Sequence, residues 1–213
     1  MNTQIKICGI TDAKALDAAV ACGASHVGFV FFAKSPRNLS IDAAAALAAR
    51  LPSHVAGVGL FVDPDAGFVD TVRAQVALHA LQFHGDESPA FVTQMGRDHG
   101  FEIWKAIPVK TSNDLKAADN YRGAVDRILF DAKTPENAAL PGGMGVRFDW
   151  GMLRGYQATL PWGLAGGLNP GNVAEALRVT GAALVDTSSG VESAPGVKDV
   201  DKIAAFCKAV RDS

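Results

Sequence analysis

Short apolar runs and amphipathic stretches alternate along the whole chain. The runs are rich in β-branched and aromatic residues, and they fall at Gln4–Cys8, His26–Phe31, Ala56–Phe61, Ala80–Gln82, Glu102–Ile107, Arg127–Asp131, Trp162–Ala165 and Ala183–Asp186. Between them lie Ala-rich segments whose apolar positions recur at helical spacing: Ala13–Ala21, Ile41–Leu51, Val69–Val76, Val173–Val179 and Val200–Val210. Helix starts are signalled by Thr11, by Ser40 before Ile41, by Ser88 before Pro89 and by Asn169 before Pro170.

Eight strand-then-helix units with short connections predict a closed α/β architecture, a single (β/α)8 TIM barrel of parallel strands occupying residues 1–213 as one domain. Near-continuous apolar strands fit this, because helices cover a parallel sheet from outside while other side chains fill it from inside. The main rival is an open doubly wound sheet. Against it, the first strand-to-helix turn, Cys8-Gly9-Ile10-Thr11, lacks the G-x-G-x-x-G dinucleotide fingerprint. The longest irregular stretch, Ala132–Gly145, sits inside one strand-and-helix unit, where long loops are usually functional.

Composition narrows the function classes. The chain has 213 residues, 48% hydrophobic and 20% charged, which is globular rather than disordered composition. Lys and Arg total 20 against 22 Asp and Glu, a net charge of −2, so no general field attracts polyanions. Nucleic acid is not expected as a partner, and an anionic ligand has to be held by a local site. No apolar run approaches the roughly 20 residues that cross a bilayer. The start, MNTQIKICGIT, does not read as a signal peptide, and the three cysteines form no close-spaced pair, so a cytoplasmic, reducing setting is expected. Cys22 and Cys207 read as buried free thiols rather than a bridge between neighbouring helices.

In such barrels the site is built at the C-terminal ends of the strands, and phosphate commonly sits between the loops after strands 7 and 8. Those loops read Ala165-Gly166-Gly167-Leu168-Asn169 and Asp186-Thr187-Ser188-Ser189-Gly190-Val191. A lone Gly-Gly is an ordinary tight turn, but the matched pair, with glycines allowing close backbone approach and the Ser188 and Ser189 hydroxyls beside them, points to a phosphorylated small molecule.

Cys8, Arg37, His84, Asp131 and Asp186 all fall at or just beyond strand ends. Alternation turns Ile5 and Ile7 toward the helices and Lys6 and Cys8 into the barrel. Lys6 and a helix start near Thr11 would both lower the Cys8 pKa from about 8.5. The alternatives are that Lys6 pairs with an interior carboxylate, and that Cys8 is a small core residue. Asp131 follows Ile128-Leu129-Phe130, where desolvation favours a protonated acid; otherwise it is a helix cap or an ion-pair partner. Asp149 reads as a cap. Arg37 either clamps a carboxylate or phosphate or is a solvated loop charge. His84 reads as a hydrogen-bonded structural residue. Histidine and cysteine spacing supplies no metal motif, and neither metal nor cofactor is expected.

The segments KICGIT at Lys6–Thr11, GFVFFAKSPRNLS at Gly28–Ser40 and LQFHGDES at Leu81–Ser88 closely resemble the phosphoribosylanthranilate isomerase family of tryptophan biosynthesis. The likeness continues through FDAK at Phe130–Lys133, PGGMGVRFDW at Pro141–Trp150, LAGGLNPGNV at Leu164–Val173 and VDTSSGVESAPGVKD at Val185–Asp199. This resemblance implies an Amadori rearrangement of N-(5-phosphoribosyl)anthranilate, with Cys8 as general base and Asp131 as general acid. It also implies that Arg37 holds the anthranilate carboxylate, that Gly166, Gly167, Ser188, Ser189 and Gly190 bind phosphate, and that Lys6, His84 and Asp186 contact the substrate. Met144 departs from the Thr or Ser usual in the family, which removes a hydroxyl from the loop after strand 6. With 213 residues used up by one barrel, no second tryptophan-pathway domain is expected, and the chain is expected to be a monomer or a homodimer. Pentose-phosphate epimerases need strand-end metal ligands that are absent here, and the related histidine-pathway isomerase resembles a two-aspartate site where this chain has Cys8. A non-catalytic phospholigand sensor would have no use for both Cys8 and Asp131.

Overall fold

A computed structural model describes residues 3–96, 100–133, 145 and 147–213. Eight parallel strands close into a barrel in chain order. They are β1 (Gln4–Cys8), β2 (His26–Phe31), β3 (Ala56–Phe61), β4 (Ala80–Phe83), β5 (Glu102–Val109), β6 (Arg127–Ala132), β7 (Trp162–Leu164) and β8 (Leu184–Thr187). The ring is completed where β8 pairs with β1, setting Lys6 opposite Asp186 and Ile7 opposite Thr187.

Alternation along each strand divides the interior into two environments. Outward residues such as Ile5, Ile7, Val27 and Phe29 join Ala15, Leu16 and Ala19 of the first helix in one continuous apolar layer between sheet and helices. Inward residues Val58, Ala80, Trp104, Ala106, Leu129 and Leu184 form a separate plug inside the barrel. Nearer the C-terminal strand ends, Cys8, Val30 and Leu60 form a third, smaller apolar group.

Among the described residues, six α-helices cover the barrel: α1 (Ala13–Ala21), α2 (Ile41–Ala48), α3 (Ala66–Gln75), α4 (Pro89–Gly96), α5 (Val173–Thr180) and α6 (Val200–Arg211). Among the described residues, the connections after β5 and β6 carry 3₁₀ segments, Asp114–Tyr121 and Trp150–Leu153. In each, the buried apolar pair is three residues apart, Leu115 with Ala118 and Trp150 with Leu153, a spacing that suits three residues per turn. After β8 a short 3₁₀ turn leads into a hairpin, β9 (Glu192–Ala194) and β10 (Val197–Lys198).

Two cap assignments are corrected. Asp12, not Thr11, caps α1, because its carboxylate accepts the Ala15 N–H at 2.9 Å, whereas the Thr11 hydroxyl reaches across to the Gly196 carbonyl. Asn169 closes a local turn on Gly171 N–H, so α5 begins only at Val173, after Asn172. Ser40 and Asp149 act as caps as expected. Met144 and most of the Ala132–Gly145 stretch lie outside the described residues.

His26, at the start of β2, packs edge-on against Trp104 at 5.1 Å, and the Arg127 guanidinium lies over the same indole at 4.9 Å. Burial, then the positive charges of Arg127 and Lys6, push the His26 pKa down from 6.5 to about 4. The folded protein therefore keeps this ring neutral while the unfolded chain protonates it. Stability from His26 is complete above pH 6.5 and is lost as pH falls toward about 4. At about 1.4 kcal/mol per unit the loss approaches roughly 3 kcal/mol. Denaturant titrations across that window should show a His26→Gln variant losing less stability than the wild type by about this amount; parallel curves would refute the assignment.

Candidate active site

The C-terminal strand ends converge on one pocket. Its walls include Cys8, Arg37, His84, Asp131, Asp186, the Gly166-Gly167 turn and Ser188, Ser189 and Gly190, together with apolar Val30 and Leu60. Of the residues expected at the site only Lys6 is not in the wall. It lies fully buried beneath the pocket, with its ammonium 2.9 Å from Asp186 Oδ2.

The thiol of Cys8 is placed by β1 and by the absence of a side chain opposite. Gly28 is its register partner on β2, and a Cβ there would come within 2.8 Å of the sulfur. Burial raises the Cys8 pKa above the ordinary thiol value, and the Asp186 charge adds to this. Lys6 and Lys198 pull the other way without winning. The expected lowering is therefore corrected: the barrel interior strips water from a thiolate more strongly than the lysines compensate, and α1 begins at Ala13, beyond the turn. For the Lys6 ammonium, burial alone would favour deprotonation, but Asp186 and Cys8 outweigh it and the pKa is raised. Burial also raises Asp186, whose Oδ1 has no partner among the described residues.

Asp131 sits at the mouth of β6 with both oxygens engaged. Oδ1 accepts the Ala132 N–H at 2.8 Å, and Oδ2 is 3.0 Å from His84 Nε2. The contact with His84 and the pocket position thus occur together, and His84 is brought to the pocket through Asp131. Gly166 has φ 85°, and a Cβ there would lie 2.8 Å from Asp131 Oδ1 and 2.4 Å from Ala132 N, so only glycine lets the turn after β7 approach so closely.

The turns after β7 and β8 lean on each other. A Cβ on Gly190 would meet the Leu168 carbonyl at 1.9 Å, and Thr187 Oγ1 donates to that carbonyl at 2.7 Å. Ser188 Oγ donates to the Cys8 carbonyl at 3.0 Å, tying the second turn to β1. Arg37 is not a solvated loop charge: it is 5% exposed, and its Nε and Nη2 donate to the two oxygens of Glu192 at 2.7 and 2.8 Å.

Four charged residues around the site carry no role in the sequence reading. Glu192 and Lys198 pair across the hairpin at 2.7 Å. Lys105 and Glu87 lie 3.3 Å apart, both side chains 2% exposed. Lys105 donates to the Gly85 and Ala106 carbonyls, while Glu87 accepts the Asp63 and Gly85 N–H groups. This brackets the turn that carries His84. Its signal was a lone lysine inside the apolar strand EIWKAIPV.

Comparison with known proteins adds a family match. Residues 5–209 match the model of the family described as N-(5'phosphoribosyl)anthranilate (PRA) isomerase. The chain is 54% identical over 211 residues to the N-(5'-phosphoribosyl)anthranilate isomerase of Paramagnetospirillum magneticum, covering 99% of this chain and 98% of that one. It superimposes on the crystal structure of the Thermotoga maritima phosphoribosyl anthranilate isomerase with a TM-score of 0.90 at 37% identity, covering 99% and 100% of the two chains. A phosphoribosyl anthranilate isomerase in complex with reduced 1-(o-carboxyphenylamino)-1-deoxyribulose 5-phosphate gives 0.87 at 35% identity, again over 99% and 100%.

Lys105→Met leaves the Glu87 carboxylate buried without its cation, and denaturant unfolding should register a loss of about 3–5 kcal/mol. Adding Glu87→Gln removes the orphaned charge and should restore part of that loss. A double variant less stable than Lys105→Met alone would show that the pair is not the source of the effect.

Proposed function

The chain belongs to the N-(5'-phosphoribosyl)anthranilate isomerase family of tryptophan-biosynthesis enzymes, and from that premise we propose that residues 1–213 act as one catalytic domain in which Cys8 is the general base and Asp131 the general acid. The observation that carries this reading is that the thiol and the carboxyl face a single pocket, with Arg37, the Gly166-Gly167 turn and the Ser188–Gly190 turn around it.

In the proposed sequence Asp131 gives a proton to the furanose ring oxygen of N-(5-phosphoribosyl)anthranilate. The C1′–O bond breaks, and the anthranilate nitrogen lone pair forms an iminium. Cys8, as thiolate, then takes the C2′ proton, and the C–H electrons flow into the iminium to give an enolamine. Tautomerisation yields 1-(2-carboxyphenylamino)-1-deoxyribulose 5-phosphate. No atom is gained or lost, so the proton moves alone account for the isomerisation.

The remaining assignments follow charge. Arg37 holds the anthranilate carboxylate, and the Gly166–Gly167 turn with Ser188, Ser189 and Gly190 holds the phosphate through backbone amides and hydroxyls. Asp186 faces the sugar hydroxyls, held by Lys6 from below. His84 orients Asp131 through its 3.0 Å contact.

Positioned proton-transfer groups contribute about 10²–10⁴-fold each, so Cys8→Ala and Asp131→Asn should each lower kcat by that range while thermal unfolding stays near wild type. Substrate made in situ from anthranilate and phosphoribosyl pyrophosphate, followed by its fluorescence, measures this; a Cys8→Ala kcat equal to wild type removes the base assignment. Because burial holds the thiol above its ordinary range, the thiolate fraction grows with pH. Accordingly kcat/KM should climb from about pH 7 to about pH 9, and a flat profile over that range would count against a thiolate base.

A further inference from the structure

Glu192 and Lys198 transfer no proton in the reading above, yet both are charged and buried at the edge of the pocket. The Glu192 carboxylate receives Nε and Nη2 of Arg37 in a two-pronged contact that fixes the plane of the guanidinium. It also accepts the Gly196 N–H at 3.2 Å. From the facing strand of the hairpin, Lys198 Nζ donates to Glu192 Oε1 at 2.7 Å, to the Ser188 carbonyl at 3.0 Å and to Ser188 Oγ at 3.2 Å. One carboxylate and one ammonium thus link the cation beyond β2 to the turn after β8.

We propose that Glu192 and Lys198 are positioning residues that hold Arg37 at a set spacing from the Ser188 turn, so that the site selects substrates carrying a carboxylate and a phosphate at that spacing. This rests on the reading of Arg37 and the turn as the two anion holders. An arginine side chain by itself samples many rotamers, and ordering it at the moment of binding costs affinity. Here the ordering is done in advance by a partner with two oxygens in one plane. Lys198 carries the constraint across the hairpin, since it bonds the same carboxylate and both oxygens of Ser188. The hairpin itself is anchored by Lys202 of α6, whose Nζ donates to the Glu192 carbonyl at 2.7 Å. Burial would raise the Glu192 pKa, but its bonds to Arg37 and Lys198 outweigh this and bring it below the usual carboxylate value, so it stays a charged acceptor.

Calorimetric titration with three probes tests the proposal: inorganic phosphate, the reduced product analogue, and its phenylamino counterpart lacking the carboxylate. The wild type should prefer the carboxylated analogue over the counterpart by about tenfold or more, the span of a charged hydrogen bond. Glu192→Gln should collapse that preference to about threefold or less while leaving affinity for inorganic phosphate and the counterpart unchanged, which a general loss of structure would not do. Lys198→Met should weaken all three probes, because it also releases Ser188. A folded Glu192→Gln protein that keeps the full preference overturns the proposal alone. A wild type without any preference removes the Arg37 reading and the proposal with it. If Glu192→Gln does not fold, the Glu192→Gln/Lys198→Met pair, which leaves neither charge unmatched by the other, gives the same decision: loss of preference supports the proposal and retention overturns it.

Discussion

Closure of the barrel between its first and last strands is the constraint on which the site depends, and the bond between Lys6 and Asp186 stands at that seam. Residues 180 positions apart meet at 2.9 Å inside a ring of parallel strands, directly below Cys8. A slip of one residue in the β1–β8 register would turn Lys6 to the helices and an isoleucine into the barrel, so the pair specifies the register as well as satisfying two charges. Removing two charges from water costs several kcal/mol per ion, and the seam is better understood as a device for uniqueness than as a large gain in stability. With the seam in place, Cys8, Asp131, Asp186, the Gly166-Gly167 turn and the Ser188–Gly190 turn face one pocket.

Two further buried pairs repeat the logic at other points of the rim. Lys105 and Glu87 bracket the turn that presents His84 to Asp131. Lys198 and Glu192 bracket the turn after β8 and hold Arg37. The apolar layer between strands and helices supplies the cohesion, while each charged pair sits behind a loop that reaches the pocket. Loops are otherwise the least constrained parts of a barrel, and a buried ion pair with several backbone partners is one way to keep a loop end within the tolerance that positioned chemistry demands.

The barrel interior also sets the electrostatic cost of the proposed chemistry. Cys8 is surrounded by Lys6 and Lys198, both of which favour its thiolate, yet burial keeps the thiol above its ordinary value. The same burial favours the neutral form of Asp186. Lys6 and Lys198 work against that burial and bring the thiolate within reach.

Strand positions to within one or two residues, most helix positions, the parallel closed order and the pocket residues were legible in the sequence because each depends on local alternation or on which strand end a residue occupies. The runs at Gln4–Cys8, His26–Phe31 and Ala56–Phe61 coincide with β1, β2 and β3. The family was legible because its motifs are contiguous. What only the tertiary structure decided involves residues distant in sequence: Arg37 with Glu192, Lys198 with Ser188, and the balance of burial against two lysines at Cys8. Periodicity reports which face a side chain takes and is silent on what that face meets across the barrel. A pKa depends on water excluded by the whole fold, so the sequence correctly placed Lys6 beside Cys8 but had the direction of the thiol's shift reversed.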